Sequence, residues 1–171
     1  MGAVTEETHN DSAGVPYALD IEEGETIRWF GNAITVKASG PQFDVAFLTV
    51  VAGSEPPRHV HETADEAYLV LDGTIVVVAG QERLAAEAGG FVFLPHGVPH
   101  TFEVKSGTAR LVALSAPSGM LLMHQEIDGQ LGASMPPTSR PSDYFPLNRT
   151  LAQYGVRLIR EGGLSPRSGQ G

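Results

Sequence analysis

The sequence predicts an all-β fold, either a β-sandwich or a β-barrel, and three observations favour this class. The apolar segments are short and rich in β-branched and aromatic residues, as in "TIRWFG", "AITVKASG" and "FVFLP". They follow one another at close spacing, and glycine (20 residues) and proline (12 residues) separate them. Strands do not alternate with long helices, which argues against doubly wound and α/β-barrel folds.

The individual strands have local signals of their own. "PQFDVAFLTVVAG" places Phe43, Val45 and Phe47 on one face of a strand, with apolar residues on the other face as well. "EAYLVLDGTIVVVAGQE" consists of two apolar runs that meet at Asp72-Gly73, a dipeptide that favours a hairpin turn. "HTFEV" and "ARLVALSAP" follow, again with Gly/Pro-rich turns between them.

A helical period appears only late in the chain. "LNRTLAQYGVRLI" places Leu147, Leu151 and Tyr154 on one face, which predicts a short C-terminal helix packed against the barrel. "GASMPPTSRPSD" before it is expected to be a loop. We therefore expect a flexible N-terminal arm at residues 1–16, a single domain at 17–160 and a flexible C-terminal tail at 161–171.

The composition excludes several classes of protein and site. The 171 residues contain no cysteine, which excludes disulfides, thiolate metal sites and cysteine nucleophiles. The formal net charge of -9 opposes binding to phosphate backbones, so no nucleic-acid partner is expected. There is no apolar run of about 18 residues and no signal peptide, which predicts a cytoplasmic protein without a membrane span.

Four residues form a candidate metal site. His59 and His61 stand two apart, and residues at this spacing on a strand point to the same side. Glu66 begins the next apolar strand, and His100 begins a later one. Three imidazoles and one carboxylate suit a divalent transition metal rather than Mg²⁺ or Ca²⁺, and they leave room for water, substrate or O2. The alternative is a polar strand end that carries histidine without binding a metal.

The spacing of these residues resembles the two motifs of the cupins. The first motif is Gly, five residues, His-x-His, three or four residues, Glu, six residues and Gly, and residues 53–73 match every fixed position. The second is Gly, five residues, Pro-x-Gly, two residues, His, three residues and Asn, and residues 89–104 match it except that Val104 replaces the usual Asn. The resemblance covers roughly residues 25–120. It implies a jelly-roll β-barrel (double-stranded β-helix) that holds a metal inside through His59, His61, Glu66 and His100.

A finer resemblance concerns the reaction. "WFGNAITVKASG" and "YGVRLI" are similar to segments of small bacterial cupins grouped with quercetin 2,3-dioxygenase, which open a flavonol ring with O2 and release carbon monoxide. The resemblance implies a dioxygenase that cleaves a flavonol-like or other enol or phenol substrate bound through a deprotonated oxygen, with Glu66 as ligand and possible base. Iron, manganese, cobalt, nickel and copper fit this donor set, and zinc is also compatible. We expect a small aromatic or enol substrate, O2 and a homodimer.

Two other functions use the same site. A metal-dependent isomerase, cyclase or lyase would employ the Lewis acid without O2. A non-catalytic metal or small-molecule sensor would bind without turnover. The three hypotheses differ in whether turnover occurs at all and whether it needs O2.

The remaining candidates concern the substrate pocket and the other histidines. An apolar pocket is expected around the metal. Its candidate residues are Trp29, Phe43, Phe47, Phe93, Phe102, Met120 and Met123. His9 is expected in the arm and His96 in an exposed turn. His124, on a strand or short helix after "SGMLLM", is expected to be structural rather than part of the pocket.

Overall fold

The computed structural model describes residues 15–137 and 140–159. The expected C-terminal tail, His9 and all but the last two residues of the expected N-terminal arm lie outside these residues. No helix within the described ranges combines the length and the apolar character needed to cross a membrane.

The described chain forms two antiparallel sheets, which confirms the predicted all-β jelly-roll architecture. The strands are β1 (Thr26–Trp29), β2 (Asn32–Ser39), β3 (Asp44–Val51), β4 (His59–His61), β5 (Asp65–Asp72), β6 (Thr74–Ala79), β7 (Glu82–Glu87), β8 (Phe91–Leu94), β9 (His100–Val104), β10 (Thr108–Ala116) and β11 (Val156–Leu158). One sheet has six strands in the order β1-β2-β3-β10-β5-β8, and the other has five in the order β11-β4-β9-β6-β7.

The predicted hairpin at Asp72-Gly73 is wrong. β5 pairs with β8 and β10 in the six-stranded sheet, whereas β6 pairs with β7 and β9 in the five-stranded sheet. Gly73, at φ 83°, is therefore a corner at which the chain passes from one sheet to the other. A Cβ atom there would lie 2.5 Å from Ser106 Oγ and 2.6 Å from Thr108 O, so the corner leaves no space for a side chain.

Two tight hairpins occur elsewhere. β6 and β7 are joined by a two-residue turn whose first residue, Gly80, has φ 60°. β1 and β2 are joined by Phe30-Gly31, and both residues have positive φ, 46° and 83°. Positive φ is costly for a bulky side chain. Phe30 is fully buried and stacks on Tyr144 with ring centroids 4.4 Å apart, and this packing holds the strained turn.

Two hydrophobic cores fill the molecule. The barrel core is made entirely by strand residues: Val50, Tyr68, Val70, Ile75, Val77, Ala86, Val92, Leu94, Phe102, Val104, Ala109 and Leu111. The cap core joins the first strands to the helices: Ile27, Trp29, Phe30, Ile34, Ala46, Met120, Leu121, Met123, Ile127, Tyr144, Leu147, Leu151 and Val156. Each fully buried aliphatic side chain in either core contributes about 1.5–3 kcal/mol to folding.

The helices differ in part from the prediction. The longest is α1 (Met120–Leu131), and α2 (Pro141–Tyr144) and α3 (Asn148–Gln153) follow, with 3₁₀ turns at Gly132–Ser134 and Phe145–Leu147. The predicted C-terminal helix is confirmed for α3. Beyond α3 the prediction is wrong, because Gly155 at φ 69° ends the helical path and β11 pairs with β4.

The start of α1 is fixed by tertiary contacts. Its N-cap, Gly119, has no side chain that could cap the helix. The buried carboxylate of Asp44, on β3, accepts hydrogen bonds from the N–H groups of Gly119 (2.8 Å) and Leu121 (3.2 Å) and from Ser39 Oγ (2.9 Å). Asp44 thus supplies the cap from a residue 75 positions away in the chain.

Candidate metal centre

The structure brings the four sequence-predicted ligand residues together between the two sheets. His59 and His61 are buried on β4, and His100, the first residue of β9, stands opposite His59 in the neighbouring strand. Glu66 approaches from β5 in the other sheet. One potential ligand atom from each residue lies within 4.8 Å of all the others. Opposite ligands of a single ion lie about 4 Å apart, so these atoms need only a small movement to reach one metal.

Backbone groups orient the imidazoles. The Nδ1 atom of His59 is 2.8 Å from the carbonyl oxygen of Pro57, and the Nδ1 atom of His100 is 2.9 Å from that of Val98. A hydrogen bond from Nδ1–H to each carbonyl leaves Nε2 with its lone pair free, which is the usual arrangement of a metal-binding histidine. Gly97 donates its N–H to the carbonyl oxygen of His61 at 2.8 Å, which ties the second motif to β4.

Orphaned polar atoms provide a test of whether a metal fits. Glu66 Oε2 and His100 Nε2 are buried and 3.2 Å apart, yet they lack hydrogen-bond geometry, and Nδ1 of His61 is buried without a partner as well. Buried polar atoms are normally paired, and the unpaired atoms of Glu66 and His100 face each other within the cluster. Two ligands at right angles on one transition metal are about 3 Å apart. The donor set and its geometry therefore fit a divalent transition metal.

The electrostatics of three of the four residues, His59, His61 and Glu66, agree with that fit. Burial, followed by the other two imidazoles, lowers the pKa of His59 to about 3, and burial also lowers the pKa of His61. Burial alone would raise the pKa of Glu66, but the three imidazoles outweigh it and lower this pKa to about 2. For His100, the adjacent carboxylate outweighs burial and raises the pKa. At neutral pH Glu66 is ionised and His59 and His61 are neutral, as metal binding requires.

Two positions of the second motif have other roles. His96 is exposed, as expected, and its Nδ1 lies 2.7 Å from Asp65 Oδ1, away from the cluster. Val104 replaces the usual Asn and is buried in the barrel core, where its N–H donates to Glu55 Oε1 at 2.8 Å. The departure from the motif therefore lies outside the four-residue cluster.

Three residues of the cluster, His59, His61 and Glu66, line a cavity of about 710 Å³, a volume that includes its solvent-open mouth. The cavity wall is mainly apolar, and four of the seven predicted pocket residues line it: Trp29, Phe102, Met120 and Met123.

The other three predicted pocket residues lie elsewhere, which corrects that part of the pocket. Phe43 and Phe93 are 45% and 54% exposed, and Phe47 lies under the ammonium group of Lys37. Side chains alternate between the faces of a strand. On β8, Val92 and Leu94 point inward, so Phe93 between them points outward. On β3, Asp44, Ala46 and Val50 point inward, so Phe43 and Phe47, at the alternate positions, point outward.

Among the cavity residues that were not identified from the sequence, three have polar aromatic side chains. Tyr68 lies beside Glu66, and burial together with that carboxylate raises the pKa of its phenol well above the usual value. The sequence does contain a signal for Tyr68, because it stands two residues after Glu66 and residues at this spacing on a strand point to the same side. His124, expected to be structural, and Tyr144, which follows a loop, also line the cavity, and no local pattern indicates either position.

Residues 46–116 match the Cupin_2 family, described as a cupin domain. This part of the chain is a cupin domain. All four residues of the cluster lie within it. The chain is also 30% identical over 117 residues to a quercetin 2,3-dioxygenase of Bacillus subtilis (strain 168). That alignment covers 66% of this chain and 35% of the relative, so the chain spans about one third of the relative's length.

Solved structures with the same cupin fold include proteins with several activities in their names. KdgF from Halomonas sp. has a TM-score of 0.58 at 17% identity, covering 63% of this chain and 99% of that one. The Streptomyces nucleoside dehydratase Pac13 has a TM-score of 0.51 at 21% identity, covering 61% and 85%. A sugar phosphate isomerase from Silicibacter pomeroyi has a TM-score of 0.53 at 20% identity, covering 58% and 75%. These similarities concern the fold.

Proposed function

We propose that this protein is a metal-dependent dioxygenase that cleaves a flavonol-like or other enol or phenol substrate with O2. The observation that carries the proposal is the convergence of three imidazoles and one carboxylate within 4.8 Å of one another, where His59, His61 and Glu66 line an apolar cavity. The 30% identity to a quercetin 2,3-dioxygenase supports the reaction class.

The metal ligands in this proposal are His59, His61, Glu66 and His100. A divalent transition metal held by them supplies Lewis-acid stabilisation of an anionic substrate oxygen and access to O2 chemistry. Iron, manganese, cobalt, nickel, copper and zinc are the candidates.

Glu66 has two proposed roles, metal ligand and general base, and its environment favours the first over the second. A carboxylate with a pKa of about 2 is fully ionised at neutral pH and is well suited to be a ligand. The same low pKa makes it a weak acceptor for the proton of a substrate hydroxyl, because efficient bases have a pKa near the working pH. The ligand role is therefore the stronger assignment, and the role as a base is tested separately.

The rest of the cavity positions the substrate. Trp29, Phe102, Met120 and Met123 provide apolar and aromatic surface for a planar ring system. This surface also excludes water from the cluster, which strengthens the electrostatic interactions there.

The test is O2 uptake by protein of known metal content, reconstituted separately with Fe, Mn, Co and Ni, with and without quercetin. Uptake that depends on quercetin, together with carbon monoxide release, is the expected result. Uptake without carbon monoxide would keep the oxygenase class and change the bond that is cleaved. Absence of uptake by fully metal-loaded protein, with every metal, would overturn the quercetin assignment.

A parallel assay under argon addresses the second hypothesis. The Lewis acid and the cavity are equally suited to an isomerase, cyclase or lyase, and turnover without O2 would favour that class. Tight ligand binding without turnover in either atmosphere would favour a sensor.

Glu66→Gln separates the two roles of this residue. We expect it to keep part of its metal and lose turnover. Glu62→Gln is the matched control, because Glu62 is exposed and its carboxylate faces the surface residue Arg157, 3.4 Å away. Unchanged turnover in Glu66→Gln would exclude Glu66 as a base.

We also propose that two copies associate through the outer face of the six-stranded sheet. Phe91 and Leu69 are cross-strand neighbours there, and Phe93 and Leu114 flank Ala67 in the next row. All four large side chains are at least 39% exposed. In a chain of net charge -9, an exposed apolar patch such as these four side chains is where two copies meet with the least repulsion. Light scattering of the wild-type protein is expected to give twice the monomer mass, and light scattering of Phe91→Lys is expected to give the monomer mass. A monomer mass for the wild-type protein at micromolar concentration would contradict the proposal.

A further inference from the structure

His124 lies on α1 in the wall of the cavity, outside the four-residue cluster and outside the matched cupin domain. We propose that His124 forms a hydrogen bond with a hydroxyl or carbonyl oxygen of the bound substrate and is a second polar anchor for it. This inference rests on the proposed function, because it assumes that a small oxygen-bearing aromatic molecule occupies the cavity.

The first supporting observation is the position of the ring. His124 lines the main cavity together with Glu66, and the same two residues line a second cavity between β3, β10 and α1. The ring also meets the edge of Trp29, with centroids 4.3 Å apart and planes at 85°. A substrate that lies against Trp29 and reaches Glu66 is therefore next to His124.

The second observation is an unsatisfied polar atom. Nδ1 of His124 is buried, and within the described part of the chain it has no hydrogen-bond partner. The Met120 carbonyl one turn earlier is close enough to affect the ring but does not accept a hydrogen bond of normal geometry from Nδ1. Buried polar atoms are rarely left unpaired in folded proteins, and a ligand that pairs with this one gains affinity.

Two other polar residues of the cavity wall, outside the four-residue cluster, are engaged. The Asn32 amide donates to Ser54 O at 2.7 Å and accepts from the Val51 N–H at 3.0 Å. Tyr68 lies beside the Glu66 carboxylate. His124 differs from both because its Nδ1 has no hydrogen-bond partner in the described part of the chain.

The charge state of His124 agrees with a neutral hydrogen-bonding role. Burial lowers the pKa of His124 to about 4, against smaller opposing effects of the Met120 carbonyl and the Glu66 carboxylate. A neutral imidazole has one donor and one acceptor nitrogen, so it can pair with a hydroxyl or with a carbonyl oxygen.

The experiment measures quercetin binding to metal-loaded protein under argon, so that turnover does not interfere. Trp29 is the single tryptophan, and its contact with His124 makes its fluorescence a local reporter. Dissociation constants are taken from titration midpoints, corrected for quercetin absorption, because substitutions at His124 also change the signal amplitude. Calorimetry provides a second readout without fluorescence.

The variants are His124→Phe, which keeps a ring and removes both nitrogens, and His124→Asn, which keeps a polar group near Nδ1. Leu122→Met is the control, because Leu122 lies on the same helix but is 49% exposed and lies outside the cavity wall. Metal content and the unfolding midpoint of each variant exclude a general structural defect.

We expect His124→Phe to bind quercetin roughly fivefold to tenfold more weakly, His124→Asn to be intermediate and Leu122→Met to stay within about twofold of wild type. If both His124 variants bind quercetin with the dissociation constant of the wild type, this inference is overturned and the proposed function is left intact. Failure of metal-loaded wild type to bind quercetin would overturn the flavonol proposal, and this inference with it.

Discussion

The two sides of the cavity differ in chemistry and in origin. The polar side carries His59, His61, Glu66 and His100 on three strands, and all of them lie within residues 46–116. The apolar side is formed largely by the cap core, where Trp29 comes from β1 and Met120 and Met123 come from α1. These residues lie outside the matched cupin domain. The part of the molecule shared with other cupins thus holds the candidate metal site, and the surface that faces a substrate is built largely by the flanking segments.

This difference implies a division of labour that experiments can separate. Changes on the polar side should affect metal content first, and changes on the apolar side should affect ligand affinity at constant metal content. A variant that moves both quantities together would show that the two sides are coupled.

The largest expected effect is that of His61→Ala on metal affinity. Four-ligand zinc sites contribute about 10–16 kcal/mol, so loss of one ligand costs about 2.5–4 kcal/mol, or roughly 100-fold to 1,000-fold in affinity. Metal content after dialysis, measured by elemental analysis, checks this. His96→Ala is the control, because His96 is exposed and bonded to Asp65. Wild-type metal content in His61→Ala would remove this residue from the ligand set.

The second effect concerns the anchor of the apolar side. Asp44→Asn replaces one carboxylate oxygen with an NH2 group. The lost oxygen accepts a hydrogen bond either from Ser39 Oγ or from the backbone N–H groups at the start of α1. We expect the free energy of unfolding to fall by about 1–2 kcal/mol, and quercetin affinity to fall because α1 carries His124. Asp128→Asn is the control, because it removes an ion pair with Arg28, whose side chain is 66% exposed. Its free energy of unfolding is expected to fall by at most about 1 kcal/mol. Equal stability of the two variants in urea would refute the anchoring role of Asp44.

A matched pair of core substitutions compares the two cores directly. Ile75 in the barrel core and Ile127 in the cap core are both fully buried. Shortening either to Val should cost about 0.5–1.5 kcal/mol in denaturant unfolding. Only Ile127→Val should also weaken quercetin binding, by roughly twofold, because Ile127 is one helical turn from His124. Equal ligand affinity in the two variants would mean that the cap core does not control the substrate side.

The smallest effect distinguishes the inner from the outer aromatic residues. Phe43→Leu should change stability by no more than about 0.5 kcal/mol and leave ligand affinity unchanged, because the ring is 45% exposed and lies outside the proposed dimer patch. Phe102→Leu, at a buried ring in the cavity wall, should weaken quercetin binding in the same titration. Weaker binding in Phe43→Leu would indicate that the outer face contributes to the substrate site.

The errors made from sequence have one physical cause. Asp72-Gly73 is a strong turn signal, but a local signal does not say which strand becomes the partner of β5. The alternation in β3 and β8 separates two faces, but both faces are apolar, so Phe43, Phe47 and Phe93 were placed on the wrong side. The helical period around Leu147 and Leu151 was correctly identified, whereas the strand at Val156–Leu158 depends on pairing with β4.

The sequence by itself determined the all-β class, the glycine-bounded turns and the four residues that converge between the sheets. It did so because the strand period places His59 and His61 on one side, and because the spacings match those of a known family. Tertiary structure alone decided the shape of the cavity and its polar contacts. His124 and Tyr144 reach the cavity because Asp44 anchors α1 and because the rings of Phe30 and Tyr144 stack. Contacts between residues far apart in the chain depend on packing, which no local pattern encodes.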